Sequence, residues 1–337
     1  MRLITFCFVS TLCLAGVQQP VGAADRLSVS MSSSSTFNAT ALIASGAKIF
    51  EEKDLDVSFI DVGGGTNVVA SVIGGSADIG ILGVGNLVQA RSRGQDVKAF
   101  ASATRGFPNY IIVTNAFLEK SGVALNAPLK DRVAALKGKT LAVNDIGGSA
   151  GDFARDLLQR SGMQDDDITM INMPSGAARL AALRAGRVDA AIAYSPEPET
   201  ATAEGIGKVY INTLIDIPET KNVEYLLYVA RADFIAANRD KIKRFAQAVD
   251  AASAVVEKDP AKSKQLFWAQ VAARSKASPL SPETQNLVWE AMLRYIARPA
   301  MLSASALQGS REYFKIPDAI TTADLTDTTI LSAKPAN

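Results

Sequence analysis

The chain repeats itself. Residues 61–81 read DVGGGTNVVASVIGGSADIGI, and residues 172–192 read NMPSGAARLAALRAGRVDAAI. At a constant offset of 111, Gly65 meets Gly176, Ala70 meets Ala181, Gly75 meets Gly186, Asp78 meets Asp189 and Ile81 meets Ile192. Each copy has the same grammar: a polar strand end, a glycine loop, a short apolar helix, G-x-x-D, then a strand of small residues. That period is too long for a solenoid and matches the size of a small α/β lobe. Two similar lobes facing each other make a cleft, and clefts between domains are where small ligands bind.

The similarity extends upstream. Residues 27–31 form a short strand pattern, followed by Ser32-Ser-Ser-Ser-Thr36 and a helical stretch over 37–52. Residues 141–145 are followed by Ile146-Gly-Gly-Ser-Ala150 and a helical stretch over 151–160. Both loops join the carboxyl end of a strand to the amino end of a helix, with side chains too small to obstruct a ligand. Helix amino ends carry unpaired N–H groups and partial positive charge, which suits anionic groups.

Composition removes several function classes. The 337 residues are enough for two lobes with their own cores. A formal charge of +1 gives no reason to expect nucleic acid or an anionic membrane as partner. Arg2, an apolar run over 3–17 and small residues at 21–24 read as a cleaved export signal over residues 1–24. Both cysteines, Cys7 and Cys13, lie within it, and the chain contains no histidine. An exported form therefore has no thiol nucleophile, histidine base or His/Cys metal site, and no disulfide. No cofactor is expected, and an enzyme is not expected.

Strand patterns at 57–61, 78–83, 97–104 and 109–114 are assigned to the first lobe. Those at 141–145, 189–192 and 208–212 go to the second, and the strand at 224–230 returns to the first. Helical patterns follow over 233–257, 260–271, 282–297 and 302–313. Alternating strands and helices imply α/β lobes with mixed sheets and helices on both faces. The expected division is 25–115 with 224–337 as a discontinuous lobe 1 and 116–223 as lobe 2.

Four segments together resemble the periplasmic solute-binding proteins of ABC importers, in the branch of sulfonate, taurine, nitrate and thiamine-precursor binders. They are the strand–small loop–helix of 27–52, Gly65-x9-Gly75-Ser-Ala-Asp78-Ile-Gly80, Leu136-Lys-Gly-Lys-Thr-Leu-Ala-Val143 with Gly147-Gly-Ser149, and Ala185-Gly186-x-x-Asp189-Ala-Ala-Ile192. The resemblance covers residues 25–337. It implies a type II periplasmic-binding fold, with two lobes closing on a ligand about crossings near 114–117 and 222–224. It further implies a soluble periplasmic monomer that delivers a small molecule to a transmembrane permease. Several relatives have Trp where this chain has Tyr194-Ser-Pro-Glu197. A related enzyme group that makes the thiamine pyrimidine relies on its own histidine and a cysteine-rich motif, neither of which is present.

Candidate ligand contacts are the loop ends of the two lobes. In lobe 1 they are Ser34, Ser35, Thr36, Gly65, Thr66, Gly85, Asn86 and Thr104; in lobe 2 they are Gly148, Ser149, Ala150 and Ser195. Arg105, a basic residue at a cleft-facing strand end, is a candidate partner for a carboxylate or sulfonate. Phe37, Tyr194 and Tyr225 are candidate aromatic walls. Glu197 could accept from an amino group or cap the following helix. Asp78 and Asp189 read as turn-stabilising carboxylates, and Trp268 and Trp289 as packing residues. The expected solute is a small organic anion, sulfonate- or carboxylate-like. The alternatives are a neutral pyrimidine or amine-type solute, or a sensor presenting its ligand to a membrane receptor.

Overall fold

A computed structural model of the chain describes residues 23–32, 35–274 and 279–331. The expected export signal therefore lies almost wholly outside the described residues. Ten strands form two sheets: β1 (Asp25–Ser32), β2 (Leu55–Gly63), β3 (Ile79–Gly83), β4 (Val97–Arg105), β5 (Tyr110–Thr114), β6 (Thr140–Val143), β7 (Thr169–Asn172), β8 (Ala190–Ala193), β9 (Gly207–Asn212) and β10 (Glu224–Arg231). The orders are β2-β1-β3-β10-β4 and β7-β6-β8-β5-β9.

The two orders are the same pattern written twice. β1 runs parallel to β2 and β3, and β6 runs parallel to β7 and β8. The single antiparallel strand of the first sheet is β10, paired with β3 and β4; that of the second is β5, paired with β8 and β9. Each antiparallel strand is supplied by chain arriving from the other sheet. Residues 109–114 therefore belong to the second sheet, not to the first as the sequence suggested, and the first crossing lies at Gly106–Asn109 rather than at 114–117. β5 reads Tyr-Ile-Ile-Val-Thr and is buried on both faces, so its pattern marks a central strand without marking which sheet it enters. The second crossing leads from β9, which ends at Asn212, to β10, which begins at Glu224.

The crossings are bonded to each other. Gly106 N–H donates to Val223 O (2.8 Å) and Phe107 N–H donates to Thr220 O (2.9 Å). Beside them, Glu224 is fully buried. It pairs with Arg105 (Nη2–Oε1 3.0 Å), accepts from Ser303 N–H (2.7 Å), and bonds Ser102 Oγ. The carboxyl-terminal segment covers the free edge of β4 through Ala300 O to Ser102 N–H (2.8 Å) and a bridge between Ala99 and Thr326. Such cover removes an edge that could pair with another chain.

The repeated aspartates are structural, and in the same way. Asp78 Oδ2 accepts from Ser28 N–H and Ser28 Oγ, both at 2.8 Å. Asp189 Oδ2 accepts from Thr140 N–H and Thr140 Oγ1, both at 3.0 Å. Each carboxylate ties the start of its sheet's central parallel strand to the turn ahead of the neighbouring strand. Among the described residues no helix is long and apolar enough to cross a membrane.

Candidate ligand-binding site

A cavity of about 500 Å³ lies between the two sheets, at the carboxyl ends of their parallel strands. Ser32 ends β1 and Gly83 ends β3, while Asn144 follows β6 and Tyr194 follows β8; all four face the cavity. Ligands in open α/β sheets collect at this end because glycine loops and helix amino termini converge there. Phe37 packs edge-to-face on Tyr194 (centroids 5.1 Å apart) and on Tyr225 (5.9 Å), and these three rings form one wall. Polar lining groups come from Asn86, Asn144, Asp145 and Ser149, and Tyr194 Oη donates to Asn144 Oδ1 (3.0 Å). Trp268, Val271 and Ala272 reach the cavity from one face of the helix Pro260–Arg274, joined by Leu280 and Gln285.

The rims of the two lobes touch. Asp145 Oδ2, from the second lobe, accepts from Thr66 N–H (3.0 Å) and Thr66 Oγ1 (2.8 Å) at the amino end of the first-lobe helix Gly65–Ile73. Ser149 Oγ donates to Asn86 Oδ1 (2.9 Å), and Gln89 Nε2 donates to Asp152 (3.1 Å). Burial pushes the Asp152 carboxyl up from its ordinary range, and Arg155 partly opposes this. Four cross-lobe bonds on one seam make this a closed arrangement.

The charged feature of the wall is an ion pair. Arg179 is 2 % exposed and Glu197 7 %. Arg179 Nη2 donates to Glu197 Oε1 (2.7 Å) and Nε to Oε2 (3.1 Å), while Nη1 donates to the carbonyls of Met173 (2.6 Å) and Pro174 (3.1 Å). Burial raises the Glu197 carboxyl above its usual range, with Arg179 pulling the other way. At the 111-residue offset this pair lines up in sequence with two residues of lobe 1. Glu197 corresponds to Asn86 and Arg179 to Val68, a core residue at 0 % exposure. Both acceptor side chains press on the repeated glycines. A Cβ at Gly65 would come within 2.6 Å of Asn86 Oδ1, and one at Gly176 would collide with Glu197 Oε1. Lobe 2 has thus put a buried ion pair where lobe 1 has an amide and an apolar side chain.

Of the residues proposed from sequence, the wall gathers Phe37, Gly65, Asn86, Ser149, Ala150, Tyr194, Glu197 and Tyr225. Thr66 sits on the closing seam, and Gly148 packs against Asp145 and Asn86. Gly85 lies behind Ser149. Thr36 Oγ1 donates to Ser195 O (2.5 Å), and Ser195 Oγ donates to Glu199 (2.8 Å), away from the cavity wall. Thr104 is buried and accepts from Leu226 N–H (3.1 Å) inside the sheet. Arg105 is a correction. Its guanidinium is spent on Glu224 and on Met301 O (2.9 Å), so it braces the crossing instead of facing a ligand. Ser34 lies outside the described residues, as does the side chain of Ser35.

Sequence reasoning missed Arg179, Asp145 and Asn144, and it assigned Trp268 to packing alone. Arg179 did leave a signal: it is the arginine at a repeat position where the other copy buries valine. Trp268 and Gln285 left none, because the carboxyl-terminal helices stand outside the repeat.

Residues 37–263 match the model of a family described as NMT1/THI5 like. The chain belongs to the NMT1/THI5-like family. Solved structures agree on the architecture. A protein from Bordetella bronchiseptica RB50 superposes with a TM-score of 0.76 at 20% identity, covering 90% of this chain and 95% of that one. The alkanesulfonate-binding protein SsuA of Xanthomonas axonopodis pv. citri, bound to MOPS, gives 0.67 at 21% identity, covering 88% and 96%. The ligand-binding component of an ABC-type import system from Staphylococcus aureus gives 0.68 at 13% identity, covering 91% and 97%. No individually curated protein matches the chain. The fold is that of the periplasmic binding proteins.

Proposed function

We propose that this NMT1/THI5-like protein is an exported solute-binding protein that encloses one small organic molecule between its lobes and presents it to an ABC permease. The observation that carries the reading is the cavity. It is large enough for a ligand of about ten to twenty heavy atoms, on the order of the pockets that take small metabolites, and bonds made across the cleft bridge the lobes beside it. The titles of structural neighbours with the same architecture, an alkanesulfonate-binding protein and a component of an import system, support the transport reading. Binding without turnover is favoured because the sequence has no histidine, and the wall's one buried carboxylate is held by an arginine.

Aromatic side chains on one wall favour a solute with a flat apolar body. The charge of that solute is better read from the wall than from the helix ends. Among the described residues the cavity is lined by one cation, Arg179, already paired, and by two acids, Glu197 and Asp145. A helix amino terminus favours an anion by about 0.3–1 kcal/mol. A carboxylate with no described cationic partner, such as Asp145, opposes one by roughly 3 kcal/mol at about 5 Å and an effective permittivity near 20, whereas Arg179 largely offsets Glu197. Asp145 also takes one of those helix ends for itself. With Arg105 engaged elsewhere, a neutral or amine-bearing solute fits this wall better than the sulfonate or carboxylate expected from sequence.

The test is direct. Protein purified from the periplasm is denatured, and any released small molecule is identified by mass spectrometry and returned to fresh protein in a calorimeter. Saturable binding with recovery of the molecule unchanged is the expected result. Conversion of more than one equivalent would sink the binding reading.

A further inference from the structure

We infer that Glu197 is the head-group acceptor of this site. It selects solutes that present a nitrogen-borne hydrogen, such as an amidine or a ring-attached amine, and Arg179 is its positioning residue. The inference rests on the solute-capture reading and names the chemistry that reading leaves open.

Three observations support it. First, Glu197 lines the cavity while its carboxylate is fixed by two bonds from Arg179, whose Nη1 is anchored in turn on the carbonyls of Met173 and Pro174. A carboxylate oxygen accepts more than one hydrogen bond, so each oxygen keeps capacity after Arg179 is served. An acceptor locked in this way loses little freedom when a ligand arrives. Second, the glycine at 176 lets the carboxylate approach the helix backbone so closely that any side chain there would strike it. This glycine holds the acceptor at a set height in the wall.

Third, the repeat supplies an internal control. The equivalent position in lobe 1 is Asn86, whose Oδ1 is taken by Ser149 across the seam. Lobe 1 therefore uses its polar group to close the cleft. Lobe 2 carries a charge at the matching place and makes no described cross-lobe bond with it. A buried ion pair is a poor device for stability alone, since apolar residues of similar volume serve as well or better. At a cavity wall its use is recognition. A site built to accept a hydrogen rejects analogues that lack one, because the acceptor is then left unserved.

The experiment is calorimetry on the exported form with four probes of one shape: benzamidine, benzamide, benzoate and benzenesulfonate. Benzamidine should bind about tenfold or more tighter than either anion, with benzamide between them. Glu197→Gln should erase the benzamidine-over-benzamide preference. Because that change leaves Arg179 without its counter-charge, at a cost to folding, Arg179→Met/Glu197→Gln removes both charges together, and circular dichroism checks that it folds. In the double variant benzamidine and benzamide should bind within about twofold of each other. Tighter binding of benzoate or benzenesulfonate overturns the head-group assignment and leaves solute capture standing, as does a benzamidine preference that survives the double change. No heat with any of the four counts against solute capture itself, and the assignment falls with it.

Discussion

Arg105→Ala removes the guanidinium that sits beside Glu224 at the crossing between the lobes. Glu224 is 0 % exposed, and Arg105 gives it two of its hydrogen bonds, at 3.0 and 3.3 Å. Breaking a buried pair by deleting one partner costs about 3–5 kcal/mol, because the other charge is left behind. Two features pull the figure towards the lower end. Glu224 keeps Ser102 and Ser303 N–H as donors, and the Arg105 side chain is 22% exposed, so water can enter the space it vacates. We expect a loss of about 3 kcal/mol, minus whatever relaxation recovers, read as a lower urea midpoint at an unchanged slope. Solute affinity should stay within about twofold of the parent at saturating fold, since no described wall residue is disturbed. The companion variant Arg105→Lys should recover only part of the loss, because an ammonium cannot reproduce the forked geometry. Unchanged stability, or a selective loss of affinity in a fully folded protein, would refute the bracing role and return Arg105 to the ligand.

Other outcomes follow from the same geometry. Asp145→Ala should raise the radius of gyration of ligand-free protein in small-angle scattering, because it removes both bonds to Thr66; each such bond is worth roughly 1 kcal/mol at a partly exposed site. Asp189→Ala should cost about 1–2 kcal/mol in chemical denaturation with the cavity intact, since Thr140 loses its acceptor at the start of β6. Glu199 has its carboxyl raised by burial, and its Oε2 is buried without a partner. A raised folded value means stability present below the unfolded carboxyl range and lost as pH rises through the folded value. Glu199→Gln should flatten that fall, so the variant gains on the parent at pH 8 and not at pH 4; a parallel pair of stability–pH curves would disprove it.

Part of the candidate cavity lining was legible in the sequence. The offset between Gly65 and Gly176 announced two lobes, and the glycine loops announced where their helices begin. Phe37, Tyr194, Glu197 and Ser149 could be named because they sit at strand ends next to those loops. Local chemistry also settled Asp78 and Asp189, whose partners lie in the strand start that each turn must meet.

What the sequence could not decide was assignment between equals. β5 carries only buried apolar residues, so nothing in its own pattern says which sheet it joins; that depends on the free edges of β8 and β9, assembled from chain far downstream. Arg105 looked like a ligand contact because its partner, Glu224, is distant in sequence and meets it only once β4 and β10 pair. Arg179 was given no role from the sequence, because a buried charge is permitted only where a second charge is folded against it. The local pattern of residues fixed the two lobes and their loops. Which charges neutralise each other was decided by tertiary contact: Arg105 meets Glu224 where β10 returns beside β4, and Arg179 meets Glu197 where two helices of lobe 2 pack together.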